Sequence, residues 1–98
     1  MNEFEVTCII KPDRFSRHEH ITHIGNTTAG WMIARENAIE KIESRRETFY
    51  TVDQTSGRWA YVGVVREEGK APYLRTHADG RWNDNLLALP NCENCRLV

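Results

Sequence analysis

The sequence predicts a two-layer α+β domain, in which about five mostly antiparallel strands pack on one helix in the order ββ-α-βββ, followed by a C-terminal helical turn. Apolar and polar residues alternate in several short runs, which is typical of half-buried strands. After Trp31 the apolar spacing changes to three and four, which is typical of an amphipathic helix. The chain has 98 residues, enough for one core and not two, so we expect residues 1–98 to form a single domain.

Two strands are predicted before the helix. Residues 4–11 place four alternating apolar side chains on one face and end at Pro12, which breaks the run. Residues 18–25 predict a second strand. Its aliphatic content is limited to Ile21 and Ile24, so we expect it at an edge or sharply twisted. Residues 25–30 predict a turn-rich connection.

The helix and three further strands follow in order. Residues 34–44 predict the helix, with Ala38, Ile39 and Ile42 on its apolar face. Residues 48–53, 58–66 and 72–77 are separated by turn-forming residues and predict an antiparallel meander. The run 58–66 is apolar on both faces, so we expect it at the centre of the sheet.

The C-terminal segment 73–92 predicts a cover for the core. Asp79 and Gly80 signal a turn, and residues 84–90 predict a single helical turn that Asp84 caps and Pro90 ends. Residues 86–89 include three leucines, whose burial is worth roughly 5 kcal/mol at about 1.5 to 3 kcal/mol each. We therefore expect this segment to lie across the sheet.

The same segment resembles a known family. Its pattern is Tyr73-Leu74-Arg75-Thr76, then Asp79, Asp84-Asn85-Leu86-Leu87, Leu89-Pro90 and Cys92. This pattern is similar to that of a bacterial family known as the domain of unknown function 3892. Matches earlier in the chain, among them Cys8, Ile21-Thr22, Ile24-Gly25, Trp31 and Ala38-Ile39, extend the resemblance over nearly the whole sequence. The family has no assigned activity, so the resemblance implies membership of a family but no particular activity.

Charge and cysteine content predict a cytoplasmic protein. The chain carries 13 basic and 14 acidic residues, a balance that gives no strong steering toward nucleic acid or anionic lipid. Glu3 and Glu5 stand near the N-terminus without a long apolar stretch behind them, so we expect no membrane segment. The chain has three cysteines, an odd number. This suits a reducing compartment, which would keep all three cysteines as thiols.

A polar cluster near the C-terminus is the leading candidate site for a non-catalytic binding or adaptor module. The candidate residues are Arg75, Thr76, Asp79, Trp82, Asp84 and Asn85. Arg75 can bond a carboxylate bidentately, so we expect it to pair with Asp79 or Asp84 and to pin the tail. The same cluster would flank a groove for a small polar ligand or a partner's peptide, with Trp82 as a partner contact.

Two other functions stay open on the sequence. The first hairpin is locally basic, which suits a nucleic-acid-binding accessory protein; its residues are Lys11, Arg14, Arg17, His18 and His20. A zinc site or thiol-dependent enzyme is the weaker alternative, since Cys92 and Cys95 form a C-x2-C pair downstream of His18, His20 and His23. On a strand His18 and His20 share a face that His23 does not, so at most two histidines could join the cysteines.

We therefore predict no catalytic residue, no metal and no cofactor. Cys8 lies on an apolar face, where a thiol behaves as a small hydrophobe, and we expect it to contact Cys92.

Overall fold

The computed structural model describes residues 2–98 and arranges them in two mixed β-sheets with a single α-helix among them. The strands are β1 Asn2–Glu5, β2 Cys8–Ile10, β3 His23–Asn26, β4 Trp31–Ala34, β5 Glu47–Val52, β6 Trp59–Val65, β7 Tyr73–Ala78, β8 Arg81–Asn83 and β9 Arg96–Leu97. The helix α1 spans Arg35–Glu43, and a short 3₁₀ helix spans His18–His20.

The first sheet has five strands in the order β1-β5-β6-β7-β8, and the second has four in the order β2-β3-β4-β9. Each sheet contains one parallel pair, β1 with β5 and β4 with β9. Helix α1 packs against strands of both sheets, and the buried core draws on both sheets, the helix and the C-terminal segment. The predicted two-layer α+β domain, with five mostly antiparallel strands on one helix, is therefore wrong: the protein is mostly β.

The predicted first strand over 4–11 is divided between the two sheets. Val6 donates its N–H to the carbonyl of Tyr50 at 2.7 Å in the first sheet, and Thr7 donates its N–H to the carbonyl of Gly25 at 2.8 Å in the second. The chain thus changes sheets between adjacent residues without interrupting the apolar alternation. An alternation reports which face is buried and carries no information about the pairing partner.

The region 18–34 also departs from the prediction. Residues 18–20 form the 3₁₀ helix, and the strand begins only at His23. Residues 31–34 form β4, which pairs antiparallel with β3. Strand β4 was not predicted, because four consecutive apolar residues precede the helix without alternation. Gly25 makes the hairpin possible, since an added Cβ would collide with the backbone of Trp31 and with Met32.

The helix and the meander are confirmed. Helix α1 lies within the predicted range, and β5, β6 and β7 pair antiparallel in sequence order, with β6 at the centre of the five-stranded sheet. The outer face of β6 is less covered than predicted, because Trp59 remains 47% exposed. Asp79 and Gly80 both have positive φ, 55° and 77°, as a two-residue hairpin turn between β7 and β8 requires.

The C-terminal segment covers the core as predicted. Leu86 is fully buried, and Leu87 and Leu89 pack against the core in part. Residues 84–90 form turns and no regular helix. The predicted cap is also wrong: the Oδ1 atom of Asn83, not of Asp84, accepts the following N–H, that of Asn85, at 3.0 Å.

Across residues 2–98, no helix combines the length and the apolar character needed to cross a bilayer.

A cationic groove beside the C-terminal segment

A groove of about 880 Å³ opens where the loop after β2 meets the start of β7 and the C-terminal segment. We call it the cationic groove. Its lining comprises Lys11, Arg14, Phe15, Ser16, Arg17, His18, Glu19, Glu67, Lys70, Tyr73, Arg75, Asp84, Leu87 and Ala88. The groove therefore joins the basic first loop to part of the predicted polar cluster.

Cations outnumber carboxylates around the groove by five to three. Two of the cations have carboxylate partners: Lys70 Nζ lies 3.5 Å from Glu67 Oε2, and Arg75 Nη2 lies 3.0 Å from Asp84 Oδ1. Of the two partners predicted for Arg75, Asp79 and Asp84, the structure shows the pair with Asp84. Its side chain is 70% exposed, so this ion pair is one that water and salt screen.

The other three cations have no carboxylate partner within residues 2–98. Lys11 donates from Nζ to the carbonyl of Leu87 at 3.4 Å, and the Arg14 guanidinium lies 4.9 Å from the centre of the Phe15 ring. Arg17 is exposed. These positive charges lie on one loop and are not neutralised by the protein.

His18 forms the buried end of the groove. The residue is 8% exposed, and its Nε2 atom has no hydrogen-bond partner among the residues that the structure describes. Nε2 lies 3.2 Å from Asp84 Oδ1, close enough for an ion pair but without the alignment of a hydrogen bond. Burial lowers the pKa of His18, and the charge of Arg75 lowers it further, while Asp84 and Glu19 oppose the shift. The imidazole is therefore neutral at pH 7, and its contact with Asp84 is not a salt bridge there.

The lowered pKa of His18 predicts a loss of stability in acid. Because the unfolded chain binds the proton more readily than the folded one, the free energy of unfolding rises with pH between the folded pKa and 6.5. The stability that the neutral His18 contributes is complete above pH 6.5 and is lost as the pH falls from 6.5 through the lower pKa of the folded state. Urea unfolding of wild type and His18→Gln at pH 7.5 and 5.0 measures it, and we expect a smaller pH dependence in the variant.

The matched control is His20→Gln, at an exposed position two residues away. This variant should keep the pH dependence of the wild type. Equal pH dependence in the wild type and both variants would contradict the assignment to His18.

A second set of polar residues fastens the part of the C-terminal segment after β8, residues 84–92, to β7. Thr76 is fully buried, and its hydroxyl donates to Asn83 Oδ1 and accepts the N–H of Leu86 at 3.1 Å. Asn83 Oδ1 also accepts the N–H of Asn85. These bonds satisfy polar groups next to the core, where an unmade bond costs about 1 to 3 kcal/mol. Thr76 therefore holds the segment in place and does not face the groove.

The six predicted site residues thus do not form one site, although Asp79 and Asn85 line a second cavity together. Arg75 and Asp84 line the cationic groove, whereas Thr76 and the backbone of Asn85 belong to the fastening network. Asp79 lies in the hairpin turn after β7. Sequence reasoning missed Asn83 as the central acceptor of the network and His18 as a part of the same groove as Arg75.

Trp82 lies on a different surface, the outer face of the five-stranded sheet. Cross-strand register aligns Tyr50, Tyr61, His77 and Trp82 in one row, and Trp59 stacks on Tyr50 with 4.0 Å between ring centroids. Trp82 is 45% exposed and meets His77 edge to face at 5.4 Å. The alternation of Trp59 and Tyr61 in the sequence was the available signal for this aromatic row.

The cysteines correct another prediction. Cys8 and Cys92, expected to touch as thiols, form a disulfide, and Cys95 is a free thiol. The three Sγ atoms lie within 4.8 Å of one another. If reduced, they are the residues within 2–98 that could hold a metal ion; the histidines of the predicted zinc site are not part of this group.

The two mixed sheets and the groove define a small β-rich domain with a cationic cleft. The model of a family described as a protein of unknown function (DUF3892) matches residues 5–90, and the chain belongs to this family. The match confirms the resemblance seen in the C-terminal segment up to Pro90; Cys92 lies beyond it. Comparison with curated proteins gave no match, and comparison with solved structures gave none either.

Proposed function

We propose that this protein is a non-catalytic binding module whose cationic groove binds a small ligand through phosphate or carboxylate groups. The observation that supports this most strongly is the concentration of Lys11, Arg14 and Arg17, without carboxylate partners in residues 2–98, beside the unpartnered Nε2 of buried His18. A buried polar atom without a hydrogen bond costs free energy unless water or a ligand satisfies it.

Arg75, on β7, supplies a further recognition group in the groove. Its bond to the exposed Asp84 is an ion pair of the class worth about 0 to 1 kcal/mol, so the segment does not depend on it. Buried Leu86 and the bonds of Thr76 hold the segment instead. Arg75 Nε also donates to the carbonyl of Asn83 at 3.2 Å, and this bond can persist while the two Nη atoms exchange Asp84 for a ligand oxyanion bound bidentately.

Direct titration tests this proposal. Inorganic phosphate and citrate are titrated separately into isotope-labelled protein. The His18 imidazole signals are followed by NMR, and the heat of binding is measured by calorimetry. We expect saturable shifts at His18, and an affinity about tenfold lower in Arg14→Gln/Arg17→Gln, since loss of a charge-assisted contact is worth about 1.4 kcal/mol or more.

Arg58→Gln is the matched control, because Arg58 is an exposed arginine that does not line the groove. It should bind both probes as the wild type does. Absence of saturable shifts with both probes, or equal weakening by the control, would reject the groove as an anion site.

A nucleic-acid-binding accessory protein is the second candidate. The same three loop cations favour it, because none of them has a carboxylate partner within residues 2–98 and the phosphates of a single strand could pair with them. The salt dependence of binding to a generic single-stranded oligonucleotide separates the two candidates. No affinity at low ionic strength would eliminate this function while leaving the small-ligand site intact.

A cytoplasmic location in a bacterium stays a prediction. The odd number of cysteines supports the cytoplasmic location, and the family resemblance supports the bacterial source. The Cys8–Cys92 disulfide weighs in the other direction, because such bonds persist mainly in oxidising compartments. A cytoplasmic protein would keep this bond only if the fold protected it from cellular reductants.

A further inference from the structure

We propose that Cys8, Cys92 and Cys95 form a thiol–disulfide exchange centre, in which Cys95 can replace Cys8 as the partner of Cys92. The inference rests on the three sulfur atoms and does not depend on the function proposed for the groove.

The geometry places a free thiol beside a disulfide. The three Sγ atoms all lie within 4.8 Å of one another, and Cys95 is half-buried, with its Sγ 3.4 Å from the carbonyl of Glu93. Asn94 adopts a left-handed conformation, φ 56°, which turns the chain between the two cysteines of the C-x2-C pair.

Backbone hydrogen bonds hold this arrangement on both sides of Cys95. Cys92 donates its N–H to the carbonyl of Ile9 at 3.0 Å, beside Cys8 on β2. Arg96 donates its N–H to the carbonyl of Gly30 at 2.8 Å, where β9 joins β4. The thiol is therefore delivered to the disulfide by two anchored pieces of backbone and not by a free chain end.

The exchange needs no external oxidant. The thiolate of Cys95, having released its proton to solvent, attacks Sγ of Cys92. The Cys92–Cys95 bond forms as the Cys8–Cys92 bond breaks, and the electron pair passes to Sγ of Cys8, which takes up a proton. Cys92 is the sulfur attacked, because it is half-buried whereas Cys8 is fully buried. Cys8 then remains as a neutral thiol in an apolar setting, which suits a buried cysteine.

The exchange removes the covalent attachment of the C-terminal segment to β2. The Cys8–Cys92 bond links positions 84 residues apart and joins the segment covalently to β2. A Cys92–Cys95 bond closes only a short local loop and leaves the segment attached by packing and hydrogen bonds. Because the segment contributes Asp84 and Leu87 to the cationic groove, the sulfur centre can alter one wall of that groove.

Disulfide mapping of the whole protein tests this proposal. The wild-type protein is incubated without oxygen at pH 8.5 and then quenched in acid, which stops the exchange. It is denatured and alkylated with a maleimide in the same acid, so that every free thiol is labelled. Peptide mapping should find two species, one labelled at Cys95 and one at Cys8, with the Cys8-labelled species appearing faster at pH 8.5 than at pH 6. Cys95→Ser, the matched control, should give no labelled Cys8.

A second variant keeps the test decisive. Cys8→Ser, refolded in a glutathione redox buffer, should form the Cys92–Cys95 disulfide and show no free thiol after denaturation. If the variant does not fold, the wild-type map decides alone. The proposal is overturned if the wild type is labelled only at Cys95, or if folded Cys8→Ser keeps two free thiols in a buffer that oxidises Cys8–Cys92 in Cys95→Ser.

Discussion

Replacing Leu86 with alanine should lower the free energy of unfolding by about 3 kcal/mol and the melting temperature by about 15 °C. Leu86 is fully buried and belongs to the core that both sheets and helix α1 share. Its truncation removes apolar burial and leaves a cavity that the surrounding strands cannot easily fill. Urea unfolding followed by circular dichroism measures the difference.

The matched control for this change is Leu97→Ala. Leu97 lies in the same C-terminal region, but its side chain is 56% exposed, so the expected change is within about 0.5 kcal/mol. Equal losses in the two variants would show that Leu86 does not close the core. A large loss in Leu86→Ala alone supports the view that apolar burial holds the segment in place.

Reducing the Cys8–Cys92 bond should lower the free energy of unfolding by about 4 kcal/mol, an effect similar in size to that of Leu86→Ala. The bond joins residues 84 positions apart, and a cross-link over a long stretch of chain removes more conformational freedom from the unfolded state than a short one. The experiment uses Cys95→Ser, because removing the third thiol prevents exchange. Denaturation midpoints with and without dithiothreitol give the contribution of the bond.

The control for reduction is Cys8→Ser/Cys95→Ser, which has no intramolecular disulfide to reduce. Its midpoint should not respond to dithiothreitol. A Cys95→Ser protein that is equally insensitive, although mapping shows its disulfide intact beforehand, would contradict the expected stabilisation.

Both predictions concern the segment that forms one wall of the cationic groove. Asp84 lies two residues before Leu86, and Leu87 lies one residue after it, and both line the groove. Loosening the segment therefore should weaken anion binding even where no recognition residue has changed. Comparing phosphate binding in oxidised and reduced Cys95→Ser would separate loss of the wall from loss of a ligand contact.

Local patterns predicted the parts of the fold that depend on neighbours in sequence. Helix α1 and the β5-β6-β7 meander were predictable, because helical spacing and short alternating runs record which face of each element is buried. The division of residues 4–11 between two sheets was not, because Val6 pairs with Tyr50, far along the chain, whereas Thr7 pairs with Gly25 in the other sheet. The parallel pairing of β9 with β4 likewise joins residues remote in sequence, Trp31 with Arg96 and Met32 with Leu97.

The candidate site shows the same limit. The sequence singled out a basic first loop and a polar C-terminal cluster as two alternatives, and the structure joins Arg17 and Arg75 in one groove. The sequence placed His18 on a strand, whereas in the structure it lies in the 3₁₀ helix, is buried and contacts Asp84. Trp82 was assigned to the cluster because of its position in the chain, yet strand alternation turns it to the opposite face of the sheet from Thr76.

By itself the sequence determined the family, the helix, the meander and the buried role of the C-terminal leucines, because each leaves a pattern within a short stretch of residues. Only the tertiary structure decided that the strands form two sheets, that Cys8 bonds to Cys92 with Cys95 beside them, and that His18 and Arg75 line the same groove. The physical reason is that sheet pairing and sulfur chemistry depend on distances between residues remote in sequence, which hydrophobic periodicity does not encode.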